Sequence, residues 1–138
     1  MVNDTPGVLF LCIHNAGRSQ MAAGWMRHLG GGSVRVHSAG SEPAELVNPV
    51  AVEAMGEVGV DISGAEPNPW TEEMLADVDI VVSMGCGDAC PIHPGKRYLD
   101  WPVSDPAGRD LPMVRAARDE IRARVLGLLA EMGIAPAN

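Results

Sequence analysis

Val8-Leu9-Phe10-Leu11 is an unbroken apolar run that ends at Cys12, and from Ser19 onward Met21, Ala22, Trp25, Met26 and Leu29 recur at helical spacing as far as Gly30-Gly31-Gly32. A short strand with no polar alternation has to be covered on both faces, which points to a parallel strand lying between helices. The join, Cys12-Ile13-His14-Asn15-Ala16-Gly17-Arg18-Ser19, sets a thiol and a guanidinium six positions apart, between the end of that strand and the start of a helix. Backbone N–H groups of such a turn can face inward, the helix directs its positive end at the same point, and Arg18 supplies a two-pronged donor for an oxyanion. The same groups favour a thiolate at Cys12, and Ser19 can donate to its sulfur or orient the loop. A Cys-x5-Arg spacing alone arises often by chance. The buried strand before it, the small residues inside it and the helix after it mark Ile13, His14, Asn15, Ala16, Gly17, Arg18 and Ser19 as an oxyanion-binding loop.

The rest of the chain continues the alternation. Val34 to Ser38 reads as a second strand closed by Ala39-Gly40. Asn48-Pro49 opens a helix carrying Val52, Met55 and Val58, with asparagine at the cap and proline at the first position. Gly59 to Ile62 is a turn and short extended piece, and Thr71 caps a short helix through Leu75. Asp79 to Ser83 and Arg97 to Leu99 are strands, and a last helix from about Met113 to Met132 has Ile121, Val125, Leu128, Leu129 and Met132 on one face with arginines on the other. Strands alternating with helices imply an α/β fold with a parallel sheet between helical layers, and in such sheets ligands sit beyond the carboxyl ends of the strands, where Cys12 lies. The irregular stretches Gly40 to Val47 and Gly85 to Lys96 are candidate functional loops.

With 138 residues the chain is expected to be a single domain over 1–138. No apolar run approaches a membrane span and the first residues lack a signal-peptide pattern, so a cytoplasmic protein without membrane partners is expected. Three cysteines suit chemistry in a reducing compartment better than a disulfide framework. A net charge of -8 disfavours nucleic acid and leaves a small anion, caught at one local positive site, as the natural ligand. A monomer or weak homodimer is the expected state.

The Cys12-x5-Arg18-Ser19 loop, the Ser38-Ala39-Gly40 turn, Gly59-Val60-Asp61-Ile62 and Asp105-Pro106 together resemble the low-molecular-weight tyrosine phosphatase fold over nearly the whole chain. Within it, Arg18-Ser19-Gln20-Met21-Ala22, Cys90-Pro91 and Trp101 followed by Asp105-Pro106-Ala107-Gly108 look more like its arsenate reductase relatives. The resemblance implies three α/β/α layers with a four-stranded parallel sheet, a covalent intermediate on Cys12, a shape-holding Asn15, an oxyanion-binding Arg18 and a general acid at Asp105. Chemistry asks for the same acid, because a thiolate attacking arsenic or phosphorus must expel an oxygen that leaves poorly unless protonated. Asp105 precedes a proline, which favours an extended or turn conformation suited to a loop over the site. Ala107 stands where phosphatases of the fold tend to carry an aromatic residue, so a small inorganic oxyanion fits better than a tyrosyl ring.

Relay-type, thioredoxin-coupled arsenate reductases have a second cysteine where Gly17 stands, a glycine where His14 stands, and a potassium-binding glutamate where Ala23 stands. They also have a longer segment than the three residues between Cys86 and Cys90. His14-Asn15-Ala16-Gly17-Arg18-Ser19 instead resembles actinobacterial arsenate reductases that pass arsenic to mycothiol, and a composition rich in Arg with Lys96 as the only lysine fits such a host. The reading from sequence is therefore an arsenate–mycothiol transferase: arsenate as substrate, mycothiol as thiol co-substrate, mycoredoxin as partner, and no tightly bound cofactor. The alternatives are a Cys12–Cys86–Cys90 relay served by thioredoxin, a phosphatase acting on phosphorylated protein side chains, and a noncatalytic arsenic or metal sensor. Cys86, Cys90 and His93 offer three metal ligands, but a closed zinc site needs a fourth, and no metal is expected.

Overall fold

Four parallel strands in the order β2-β1-β3-β4 form the sheet: β1 Gly7–Cys12, β2 Arg35–Gly40, β3 Ile80–Ser83 and β4 Arg97–Asp100. The computed structural model describes residues 5–85, 95–103 and 108–137. Cys86, Cys90, His93 and Asp105 lie outside these residues. The central strand β1 is buried along its whole length, as its uninterrupted apolar sequence requires. Its side chains divide by parity: Val8, Phe10 and Cys12 enter one core cluster, while Leu9 and Leu11 enter another.

The larger cluster lies under α1 (Arg18–Gly30), α2 (Pro49–Gly56) and α4 (Leu111–Glu131). The smaller one lies under α3 (Glu72–Asp77), where Leu75 and Val78 meet Leu9, Leu11 and Val81. The result is the expected α/β/α layering. Among the described residues no helix is long and apolar enough to cross a membrane. Capping fixes the helix starts. Asn48 Oδ1 accepts from the Val50 amide at 2.9 Å, Thr71 Oγ1 from the Met74 amide at 3.1 Å, and Asp110 Oδ1 from the Met113 amide at 3.2 Å. The Asp110 cap, with Pro112 in the first turn, starts α4 two residues before the position that apolar spacing suggested.

Two expectations about helix faces need correction. Val58 lies beyond the end of α2 and is exposed; the buried face of that helix is Ala51, Ala54 and Met55. The arginines of α4 do not all face solvent, because Arg118 is buried beside Ile121 and Val125. Its Nη1 donates to the Ala54 carbonyl and to Glu57 Oε1, both at 2.9 Å, its Nε donates to Asp119 Oδ1 at 2.8 Å, and its own carbonyl accepts from Trp25 Nε1 at 3.1 Å. These bonds, not apolar contact, hold the guanidinium against α2.

Arg115 grips the same Glu57 with Nε and Nη2 at 2.8 and 2.6 Å, and this hydrogen bonding, more than the Arg118 contact, pulls the carboxyl from its ordinary 4.5 down to about 2. A carboxyl depressed in the folded state stabilises the fold above its unfolded value and loses that contribution as pH falls toward the folded one. Thermal unfolding measured between pH 4.5 and 2 should therefore show a smaller acid-induced loss in Glu57→Gln than in the parent. An identical acid slope in both would exclude this contribution.

Candidate active site

Cys12 is the last residue of β1, pairs in register with Gly40, and is buried just before the chain turns into α1. Its sulfur has two neighbours suited to holding a thiolate: Ser19 Oγ at 2.9 Å and the backbone amide of Asn15 at 3.2 Å. Asn15 has φ +49, the left-handed region that a short amide side chain tolerates better than most, and it is completely buried. Its Oδ1 accepts from the Asn68 amide at 2.9 Å, which fixes the side-chain orientation and leaves Nδ2 to donate to Ser19 Oγ at 2.7 Å. Ser19 then has its hydroxyl proton available for the sulfur. Gln20, also buried, donates from Nε2 to the Asn15 carbonyl at 3.1 Å and to Asn15 Oδ1 at 3.2 Å.

Arg18 opens α1, and no side chain caps that helix; its first turn carries no acidic residue. The helix end thus adds positive potential to the loop without a competing carboxylate. Arg18 is 8% exposed, with Nη1 donating to the Val103 carbonyl at 3.3 Å. Gly85, just past β3, has φ +94, and a Cβ there would collide with that guanidinium. Gly85→Ala is expected to displace Arg18 and weaken inorganic phosphate binding by about tenfold or more, as measured by calorimetry. Unchanged affinity would show that the guanidinium has room to give.

A second loop brackets the first. The amides of Glu42, Ala44 and Asn48 donate to the carbonyls of Ile13, His14 and Ala16 at 2.8, 2.9 and 2.8 Å. The loops approach so closely that a Cβ on Gly40 would lie 2.5 Å from the Ile13 carbonyl oxygen, which requires glycine at that position of the Ser38-Ala39-Gly40 turn. His14 is exposed, and its Nδ1 lies 3.1 Å from the Glu42 carbonyl; because that oxygen only accepts, Nδ1 carries the proton. A cavity of about 280 Å³ opens above the sulfur, lined by Cys12, His14, Arg18, Ala44, Asn48 and Gly108 among others, with no Phe, Tyr or Trp among the described lining residues. Such a site can hold a tetrahedral anion over a nucleophilic sulfur.

The structure brings together Cys12, Ile13 to Gly17, Arg18 and Ser19 as one cradle. Gln20, Asn68 and Gly85 were not read as site residues from the sequence, Asn48 was read only as a helix cap, and the Gly40 to Val47 stretch was marked as a functional loop without its clamping role. The positions of Gly40 and Gly85 at strand ends were the available signals for the two close approaches. Trp25 and Trp101 serve as packing, the latter 5.7 Å from the Phe10 ring.

Fold and site together define an α/β protein with a hydrogen-bonded thiol and a guanidinium lining one cavity beyond the sheet's central strand. The family model of the low molecular weight phosphotyrosine protein phosphatases matches residues 7–135, and the chain belongs to that family. It is 38% identical over 128 residues to a glutaredoxin arsenate reductase from Synechocystis, covering 91% of this chain and 97% of the relative. It is 40% identical over 126 residues to an arsenate reductase from Staphylococcus epidermidis, covering 88% and 95%. Among solved structures it superposes on a thioredoxin-dependent arsenate reductase from Corynebacterium glutamicum with a TM-score of 0.85 at 43% identity. That match covers 96% of this chain, which spans only 64% of the Corynebacterium chain's length.

Proposed function

We propose that this protein reduces arsenate, with Cys12 as nucleophile. The observation that carries this reading is the Cys12 sulfur held by Ser19 and the Asn15 amide at the floor of a cavity that Arg18 also lines. The Cys12 thiolate attacks arsenic, a sulfur–arsenic bond forms, and an oxygen protonated by Asp105 departs as water. The similarity to the Corynebacterium thioredoxin-dependent reductase favours completion by the relay. Cys86 attacks the Cys12 sulfur, the sulfur–arsenic bond breaks with its electron pair going to arsenic, and arsenite leaves. Cys90 then attacks Cys86, Cys12 is freed, and the Cys86–Cys90 disulfide is reduced by thioredoxin, in a cytoplasm that keeps thiols reduced. The sequence His14 to Ser19 favours a second reading, in which mycothiol attacks the arsenylated Cys12, mycoredoxin completes the reduction and the later cysteines are spectators.

Arsenate turnover should be followed in parallel with thioredoxin plus its reductase and with mycothiol plus mycoredoxin. The expected result is sustained turnover with thioredoxin, arrest of Cys90→Ser after about one arsenite per enzyme as a Cys12–Cys86 disulfide, and arrest of Cys86→Ser earlier, at the arsenylated Cys12, with no arsenite released. Many turnovers by the double variant with mycothiol and mycoredoxin would transfer the assignment to the second reading. No arsenite with either donor would remove the reductase assignment.

A further inference from the structure

Asn48 has two polar ends with different employment. Its Oδ1 caps α2 by accepting from the Val50 amide at 2.9 Å, and its backbone amide is tied to the Ala16 carbonyl of the anion loop at 2.8 Å. With the oxygen committed to the cap, Nδ2 is the side chain's remaining polar atom. It has no hydrogen-bond partner among the described residues, and Asn48 is half-buried in the wall of the cavity above Cys12. An amide nitrogen fixed at both the side-chain oxygen and the backbone is a preorganised donor.

In-line displacement decides which part of the substrate reaches that donor. Sulfur attacks opposite the departing oxygen, so three oxygens face the loop and Arg18 while the fourth points outward to the cavity wall. We propose that Asn48 is a specificity-determining residue whose Nδ2 donates to this outward oxygen, selecting free inorganic oxyanions over molecules in which the fourth position is carbon. The inference rests on the assignment of the Cys12 loop as the oxyanion cradle. It adds a neutral donor on the side where the loop's own amides cannot reach, in a chain whose net charge of -8 gives no general help to anions.

Orthophosphate and methylphosphonate are the discriminating probes, since the second presents three oxygens but carries a methyl group in place of the fourth. Their dissociation constants should be measured by calorimetry on the reduced full-length protein and on Asn48→Ser, whose hydroxyl still caps the helix. The expected result is orthophosphate binding weakened roughly tenfold or more, the effect of one hydrogen bond to an anion, with methylphosphonate binding unchanged. Asn48→Asp, which also caps, should weaken orthophosphate further by adding a like charge. Equal weakening of both probes in Asn48→Ser would assign Asn48 a merely structural role, and no weakening of either would remove it from the site. Failure of the parent protein to bind any tetrahedral anion would overturn the cradle assignment itself and this proposal with it.

Discussion

Replacing Cys12 with serine is expected to lower arsenate reduction by about 10⁴-fold or more while the protein still folds, because a hydroxyl cannot supply the anionic nucleophile at neutral pH. The change is close to isosteric, and the oxygen can keep the neighbours that the sulfur has in Ser19 and the Asn15 amide. The unfolding temperature should therefore stay near that of the parent. Intact mass after incubation with arsenate should show no arsenic adduct and no disulfide involving position 12. Appreciable turnover in this variant would mean that another group attacks arsenic, and the proposed chemistry would have to be abandoned.

Arg18→Lys should lower kcat/KM by about 10²–10³-fold, although the formal charge is kept. A guanidinium can bond the Val103 carbonyl from one nitrogen while presenting a planar fork to two anion oxygens; an ammonium is a single point of charge on a flexible stem. Part of the loss should appear in the affinity for inorganic phosphate and part in kcat, because negative charge on the oxygens is redistributed as the sulfur–arsenic bond forms. An unchanged kcat/KM would place the anion away from Arg18.

The β1–loop–α1 unit was legible in the sequence because each of its parts obeys a local rule. An apolar run without alternation, a glycine-containing turn and apolar residues at helical spacing each report on their own few residues. The same holds for the Asn48-Pro49 and Thr71 helix starts. What stayed hidden depends on residues distant in sequence. Arg118 looked like a solvent-facing arginine because nothing near it reveals the Ala54 carbonyl and Glu57 carboxylate that meet it. Nothing local marks Gln20 as buried, yet it is, because the Asn15 and Glu66 carbonyls lie within reach of its amide. The strand-end position of Gly85 hinted at a close approach but not at its neighbour, since the group a Cβ would meet there is a guanidinium from another element.

The three bonds between the 42–48 loop and the anion loop set the direction of the cradle's dipoles. In a planar trans peptide the carbonyl and the following N–H point opposite ways. Holding the oxygens of Ile13, His14 and Ala16 on the outer side thus turns the amides of His14, Asn15 and Gly17 inward, and the Asn15 amide does meet the Cys12 sulfur at 3.2 Å. The polarity of the pocket is imposed from outside by main-chain atoms of Glu42, Ala44 and Asn48, whatever side chains those positions carry. Sequence drift at 42 and 44 is compatible with the same loop geometry as long as their backbone amides survive, whereas a proline at either position would free a carbonyl and let a cradle dipole rotate without altering any residue of the Cys12 loop.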